Sequence, residues 1–405
     1  MSACDRGAGP DLVVAEDAVK GPDLLERFAG ISDRRSDQGR EHPVAVVLTL
    51  CAAAVLAGMR SFTAIAGWIA DVPAGMVAGL YLAAGAAPAA GPSKTTVWRV
   101  LTGADAAAVD AAIGAWLAER AHHSADTGPG TSPDKDTDSK AVVVAVDGKT
   151  VRGAVGPGGH QPHLLAAATH ADQLVLAQVE VGAKSNEIPK FAPLLAQLAA
   201  TGVDLRRVVV TADALHCQRA HAQWLHERGA GFVFTTKLNQ PTLYAALDAL
   251  PWTNVEIGHR EIEHARGRIT TRTIQVLPAP ADLPFPHVKQ TWLIERYVHD
   301  PAGTLLSAMT ALGVTNLDHD HAGPADLATM VRRHWGIESL HWLRDTVYRE
   351  DDSRAATRSG PRVMAALRNL SIGALHLAGR RDITEATRWA ARAIHRPFQL
   401  LGLTP

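Results

Sequence analysis

The chain has 405 residues, 47% of them hydrophobic and 20% charged, with a formal net charge of -1. That composition excludes a disordered or fibrous chain, allows two or three domains at about 150 residues each, and points to no particular partner. Three cysteines, Cys4, Cys51 and Cys217, are odd in number and lack metal-ligand spacing, which argues against a disulfide framework and for a reducing, cytoplasmic compartment.

Residues 1–22 read as a disordered tail, with acids where a signal peptide carries bases. From 23 to 122 nearly every pattern is helical. The longest apolar run, VAVVLTLCAAAVLAG from Val44 to Gly58, falls short of the ~20 residues that span a bilayer, so it predicts a buried helix and no membrane association. Pro92-Ser93-Lys94-Thr95-Thr96-Val97-Trp98-Arg99 has the pattern of a helix start with Ser93 as N-cap. It fits either the second helix of a helix-turn-helix or a capped surface helix in a bundle. A Ser/Asp/Pro/Gly tract over 123–140 then reads as a linker.

Beyond the linker the pattern changes. AVVVAVD (141–147), HLLAAATH (163–170) and QLVLAQVEVG (173–182) predict strands, and IPKFAPLLAQLAAT a helix. RRVVVTAD (206–213), HCQRAHAQWLHERG and GFVFTT (231–236) add strand, helix and strand. This β-β-β-α-β-α-β order predicts an α/β fold with a mixed sheet flanked by helices. Residues about 240–310 read as a β-rich insertion and 325–346 as one long helix, followed by an Arg-rich helical end. From Val331 to Pro405 there are thirteen Arg, no Lys and seven acids, 13 − 7 = +6. Such a region is either a polyanion footprint or a solvated face laced with ion pairs.

Two predicted strands end in an acid, Asp147 and Asp213, and their uninterrupted β-branched interiors suit central strands buried on both faces. If adjacent and parallel, they hold two carboxylates side by side at the edge where open α/β sheets bind ligands. Two such groups repel unless a cation sits between them, and an oxygen-rich site suits Mg²⁺ or Mn²⁺. Asp147-Gly148 is also a strong hairpin signal, so a turn is expected there as well. On the predicted long helix, His334, Glu338, His341 and Asp345 are spaced four, three and four apart and share one face. A solvated surface is the plain reading of such a stripe. Glu338-x-x-His341 also matches half of a di-metal bundle motif, but no second copy follows.

The stretches VAVDGKTVRGA, KSNEIPKF, VVVTADALHCQ, GFVFTTKLNQPTL, HWGIESLHWLRDTVYREDDSR and MAALRNLSIG resemble the DDE-class insertion-sequence transposases. Within that class they resemble the H-repeat-like (ISAs-type) group with a transposase-associated N-terminal domain, over residues about 25–400. The resemblance implies an RNase H-like catalytic domain at 141–405, carrying the insertion, and a helical DNA-binding domain at 23–122. It implies a catalytic and metal-binding triad of Asp147, Asp213 and Glu338, with two Mg²⁺ or Mn²⁺ ions driving cleavage of transposon ends and strand transfer. Lys149, Arg152, Lys237 and Arg332 are then candidate phosphate contacts, with His334 and His341 orienting Glu338 or a phosphate. The expected partner is double-stranded DNA, bound by a homodimer at the nucleoid. The rival readings are an RNase H-like nuclease that cuts without joining, and an inactive or regulatory DNA-binding relic.

Overall fold

The structure, a computed structural model, describes residues 23–35, 40–126, 141–183 and 185–403. The tail at 1–22 and most of the expected linker lie outside the described residues. Six helices come first: α1 (Leu24–Ala29), α2 (Val44–Leu56), α3 (Phe62–Ala70), α4 (Ala74–Ala83), α5 (Lys94–Gly103) and α6 (Ala106–Asp126). The last of these runs on into the stretch expected as linker.

Helix α2 is the predicted apolar run, and all its residues are buried. Among the described residues no single helix is long and apolar enough to cross a membrane. The Ser93 hydroxyl caps α5 as expected, accepting the Thr96 amide at 3.2 Å. A helix-turn-helix ending in α5 is not formed, because the connection from Ala84 to Ser93 is far longer than the ~3–4-residue turn of that motif. The tight corner, 104°, falls between α3 and α4 instead, and α4 carries no charged residue.

Nine strands form one mixed sheet: β1 (Val142–Thr150), β2 (His163–Thr169), β3 (Val175–Val181), β4 (Val208–Ala212), β5 (Gly231–Thr236), β6 (His259–Ala265), β7 (Arg268–Pro278), β8 (Gln290–His299) and β9 (Leu305–Thr315). Their order is β3-β2-β1-β4-β5-β9-β8-β7-β6. Strands β1, β4 and β5 are mutually parallel and β2 and β3 antiparallel meanders, with α7 (Phe191–Ala200), α8 (Arg219–His226) and α9 (Pro241–Asp248) in the connections. The β-rich insertion is present but reaches Thr315, and it extends the main sheet through the β5–β9 pairing. Five further helices complete the chain: α10 (Pro324–His334), α11 (Gly336–Thr346), α12 (Gly360–Leu377), α13 (Ile383–Ala391) and α14 (His395–Leu400).

Two expectations need correction. Asp147-Gly148 is not a turn: β1 continues to Thr150, because β2 pairs with it there after β4 has ended. The long helix is two helices, broken at Trp335, with α10 against β4 and the insertion and α11 against β1.

The N-terminal helices and the sheet share one apolar core. Helix α12 is its spine, packing on α2, α5, α6 and β3. Two buried polar knots fix its position. In the first, Asp110 of α6 accepts Arg362 Nε at 2.8 Å and Gln178 Nε2 at 3.2 Å, and Gln178 Oε1 accepts Asn369 at 3.0 Å. In the second, Glu350 accepts Arg344 Nε of α11 at 2.9 Å and Arg368 Nη1 of α12 at 2.8 Å.

Glu350 is 0% exposed. Burial works to raise its pKa, but the two guanidiniums outweigh it and hold the carboxyl down at about 2. A depressed folded-state value gives stability above the ordinary value of 4.5 that is lost as pH falls towards 2. Glu350→Gln strands both guanidiniums and is expected to cost about 3–5 kcal/mol near neutral pH. In urea denaturation at a series of pH values, the gap between wild type and variant should close on acidification through that window.

Candidate active site

Strands β1 and β4 pair in parallel up to Val146↔Ala212. The next residue on each is an acid, so Asp147 and Asp213 leave adjacent backbones at the same end of the sheet. Asp147 stays in the strand, opposite Ala166 of β2. Asp213 leaves it, and its Oδ1 accepts the Leu215 amide at 2.9 Å to cap a 3₁₀ turn over Ala214–His216.

Helix α11 lies along β1 on the same side. His341 Nδ1 stands 3.5 Å from Asp147 Oδ2, and Asp345 Oδ2 accepts Lys149 Nζ at 2.7 Å. Glu338 projects near the start of the helix and is exposed. His334, the last residue of α10, makes a 3.0 Å contact through Nδ1 with the Thr211 hydroxyl of β4. His334, His341 and Asp345 of the stripe therefore face the sheet, despite the helix break, while Glu338 is exposed. Trp335 and Trp342 occupy the solvent side, at 57% and 62% exposure.

The carboxyl of Asp147 is pushed up to about 7, by burial first and then by the charges of Glu187, Asp213 and Glu338, against a lowering by the Gly148 amide. Glu338 is also raised, by burial. Burial pulls His341 down to about 3 and His334 to about 4, so both rings are neutral near pH 7. A neutral imidazole beside Asp147 leaves the negative charge of the cluster uncompensated.

Glu187 is the acid that sequence reasoning did not single out. It sits before α7 and accepts His163 Nε2 of β2 at 2.7 Å and His216 Nε2 at 3.0 Å. Burial opposes its ionisation, but those two hydrogen bonds hold it down at about 2. Its place depends on Gly148, since a Cβ there would lie 2.2 Å from Glu187 Oε1 and 2.6 Å from His163 Nε2. No periodicity marks Glu187; the stretch KSNEIPKF contains it, with an acid just before a proline-bearing turn.

Two expected phosphate contacts are engaged elsewhere. Lys149 is 8% exposed, bonded to Asp345 and 3.6 Å from Asp351, and it joins β1 to the segment after α11. Arg332 is held by Glu261 and by Glu263, the latter at 2.9 Å, on the insertion. His334 and His341 contact Thr211 and Asp147, not Glu338. Arg152 and Lys237 are exposed. Lys237 follows β5 directly, at the end of the sheet where Asp213 leaves β4.

Residues 138–373 match the family model "Transposase DDE domain", and residues 25–117 match the model "DDE_Tnp_1-associated". The chain is 25% identical over 378 residues to "Putative transposase YncI" of Escherichia coli O157:H7, covering 87% of each. It is 25% identical to "H repeat-associated putative transposase YhhI" of Escherichia coli K12, covering 87% of this chain and 90% of that one. It is 33% identical to "Uncharacterized protein in dhlA 3'region" of Xanthobacter autotrophicus, over 60% of this chain and 76% of that one. A solved piggyBac transposase synaptic complex with hairpin DNA aligns at TM-score 0.35 and 10% identity, over 65% of this chain and 54% of that one, too low a similarity to carry weight.

Gly148→Ala should displace Glu187 from its two histidines and destabilise the fold by about 1–3 kcal/mol. Combining it with Glu187→Ala should recover part of that loss, seen as a favourable coupling of about 0.5–3 kcal/mol in a double-mutant cycle by chemical denaturation.

Proposed function

The chain belongs to the DDE transposase family, and from that premise we propose that it cuts the ends of its DNA element and joins them to a target. In this reading Asp147, Asp213 and Glu338 are the catalytic carboxylates, assisted by divalent metal. One observation carries it: Asp147 and Asp213 leave matched positions of adjacent parallel strands, and burial, with the charges of Glu187, Asp213 and Glu338 added to it, pushes the Asp147 carboxyl up to about 7.

Acids crowded in this way favour a cation among them. The donors are hard carboxylate oxygens, which fit Mg²⁺ or Mn²⁺ better than softer metals. DDE transposases as a family depend on divalent metal. Among the described residues no three acids, His or Cys form a ready metal site; Asp147 and Asp213 would hold the ion together with Glu338, which is exposed near the start of α11. Bound metal supplies Lewis-acid stabilisation of the attacked phosphate and its leaving oxygen.

The chain's own residues do the rest. Asp147 and Asp213 fix the position of charge at the strand ends, and neutral His341 steadies Asp147 without competing as a cation. Lys149 and Asp345 hold α11 to β1, which sets how far Glu338 reaches. Arg152 and Lys237, both exposed, would meet phosphates. The same site acts twice: first water attacks the phosphodiester at the element end and the 3′-oxygen leaves, then that 3′-hydroxyl attacks a target phosphodiester, joins to its phosphorus and displaces the target's own 3′-oxygen. Pairing two ends requires at least a dimer on DNA.

The test is incubation with DNA carrying the sequences that flank the gene, in Mg²⁺ or Mn²⁺, scored for cut and joined products. Asp147→Ala, Asp213→Ala and Glu338→Ala should each lower cleavage by at least about 10²-fold and leave duplex binding in place. Persistent cleavage in any one variant removes that residue from the site. Cutting without joining would establish a nuclease, and binding alone a relic.

A further inference from the structure

A groove of about 700 Å³ runs between the N-terminal helices and the segment that follows α11. One wall is the turn from Arg60 to Thr63 with Trp98 of α5; the other holds Arg349 and Arg354. Arg60 and Arg354 are exposed, and neither has a hydrogen bond or ion pair among the described residues. The single acid in the lining, Asp352, is already neutralised by Arg349 at 2.6 Å. A second hollow of about 660 Å³ shares Thr63 with the first and continues the surface to Lys94.

The groove leads to the carboxylates. Asp351, next to its lining, stands 3.6 Å from Lys149 and accepts the Arg152 amide at 3.2 Å, and Lys149 is two positions beyond Asp147 on the same face of β1. The backbone of 351–353 presses on this strand end so closely that a Cβ on Gly153 would lie 2.4 Å from the Asp351 carbonyl. Unpaired cations on both walls, with Trp98, 42% exposed, in the same lining, suit a repeated anion with flat bases. A compact anion needs a buried cradle, and this surface has none of that form.

We infer that this groove holds one backbone of the DNA duplex next to the cut phosphate, with Arg60 and Arg354 on phosphates and Trp98 against a sugar or base. The inference rests on the proposed reading of DNA as substrate, and it makes the helical region and the sheet joint walls of one binding surface.

The test is fluorescence anisotropy of the full chain without divalent metal, using a labelled duplex of about 30 base pairs from the flanking DNA, over a range of KCl concentrations. Each lost phosphate contact removes about 0.9 from the slope of log affinity against log salt. Arg60→Ala/Arg354→Ala should therefore flatten it by about 1.8 and weaken binding about thirtyfold near 0.15 M salt. Trp98→Ala should weaken binding with the slope intact. Arg206→Ala/Arg228→Ala removes the same charge outside the groove and should leave the slope unchanged. An unaltered slope and affinity in the Arg60/Arg354 variant would overturn the inference and leave the groove to an acidic protein segment. Failure of the wild type to bind the duplex would overturn it too. If that variant binds normally while the wild type cuts, only the groove is lost; if the groove binds DNA and the wild type never cuts in Mg²⁺, only the catalytic reading is lost.

Discussion

The placing of α11, which carries one of the proposed catalytic acids, depends on a buried carboxylate. Glu350 is clamped by Arg344 from one helix and Arg368 from another, and Lys149, Asp345 and Asp351 lie beside it. Three cations and three carboxylates thus form one neutral cluster. Taking that many charges out of water is costly, and only close pairing offsets it. A cluster of this type tolerates few arrangements, so it fixes α11, and with it Glu338, relative to β1 and α12. Hydrophobic packing alone would allow α11 to slide along the sheet.

The second knot works at the other side of α12. Asp110, buried so that its own carboxyl is pushed up to about 7, reaches from the N-terminal helices to Arg362 and to Gln178 of β3. Helix α12 is thereby bolted through Arg368 at its middle to the Glu350 cluster and through Arg362 near its start to the N-terminal helices. Any surface shared by the N-terminal helices and the 349–357 segment is held at a fixed offset from Asp147. That fixed offset is what separates a groove from two loops that happen to be near each other.

Much of this was legible in the sequence because the signals were local. An unbroken β-branched run ending in an acid marks a central strand, and it did so for both Asp147 and Asp213, although only Asp213 stands at the exit. The four-three-four stripe placed His341 and Asp345 on the sheet-facing side of α11 even though the helix was broken above them. What was not legible depended on partners far away in the chain. Asp147 lies within its strand only because β2 outlasts β4 as a neighbour, and no feature of AVVVAVDGKT says so. Lys149 looked like a phosphate ligand because its true partner, Asp345, is 196 residues distant. Glu187 carries no periodicity at all, and its role appears only where Gly148 makes room for it.

The joining of the insertion to the main sheet has a consequence for solubility. Without β9, strand β5, GFVFTT, would be the outermost strand, an open ladder of unpaired amides on an apolar segment of the kind that recruits other chains. The insertion moves the open border four strands outward to β6, HREIEHA, where charges and imidazoles alternate along the rim. A piece of sequence that looks like an ornament on the fold therefore also shields its stickiest strand, and a shortened chain lacking it would tend to clump before it could act.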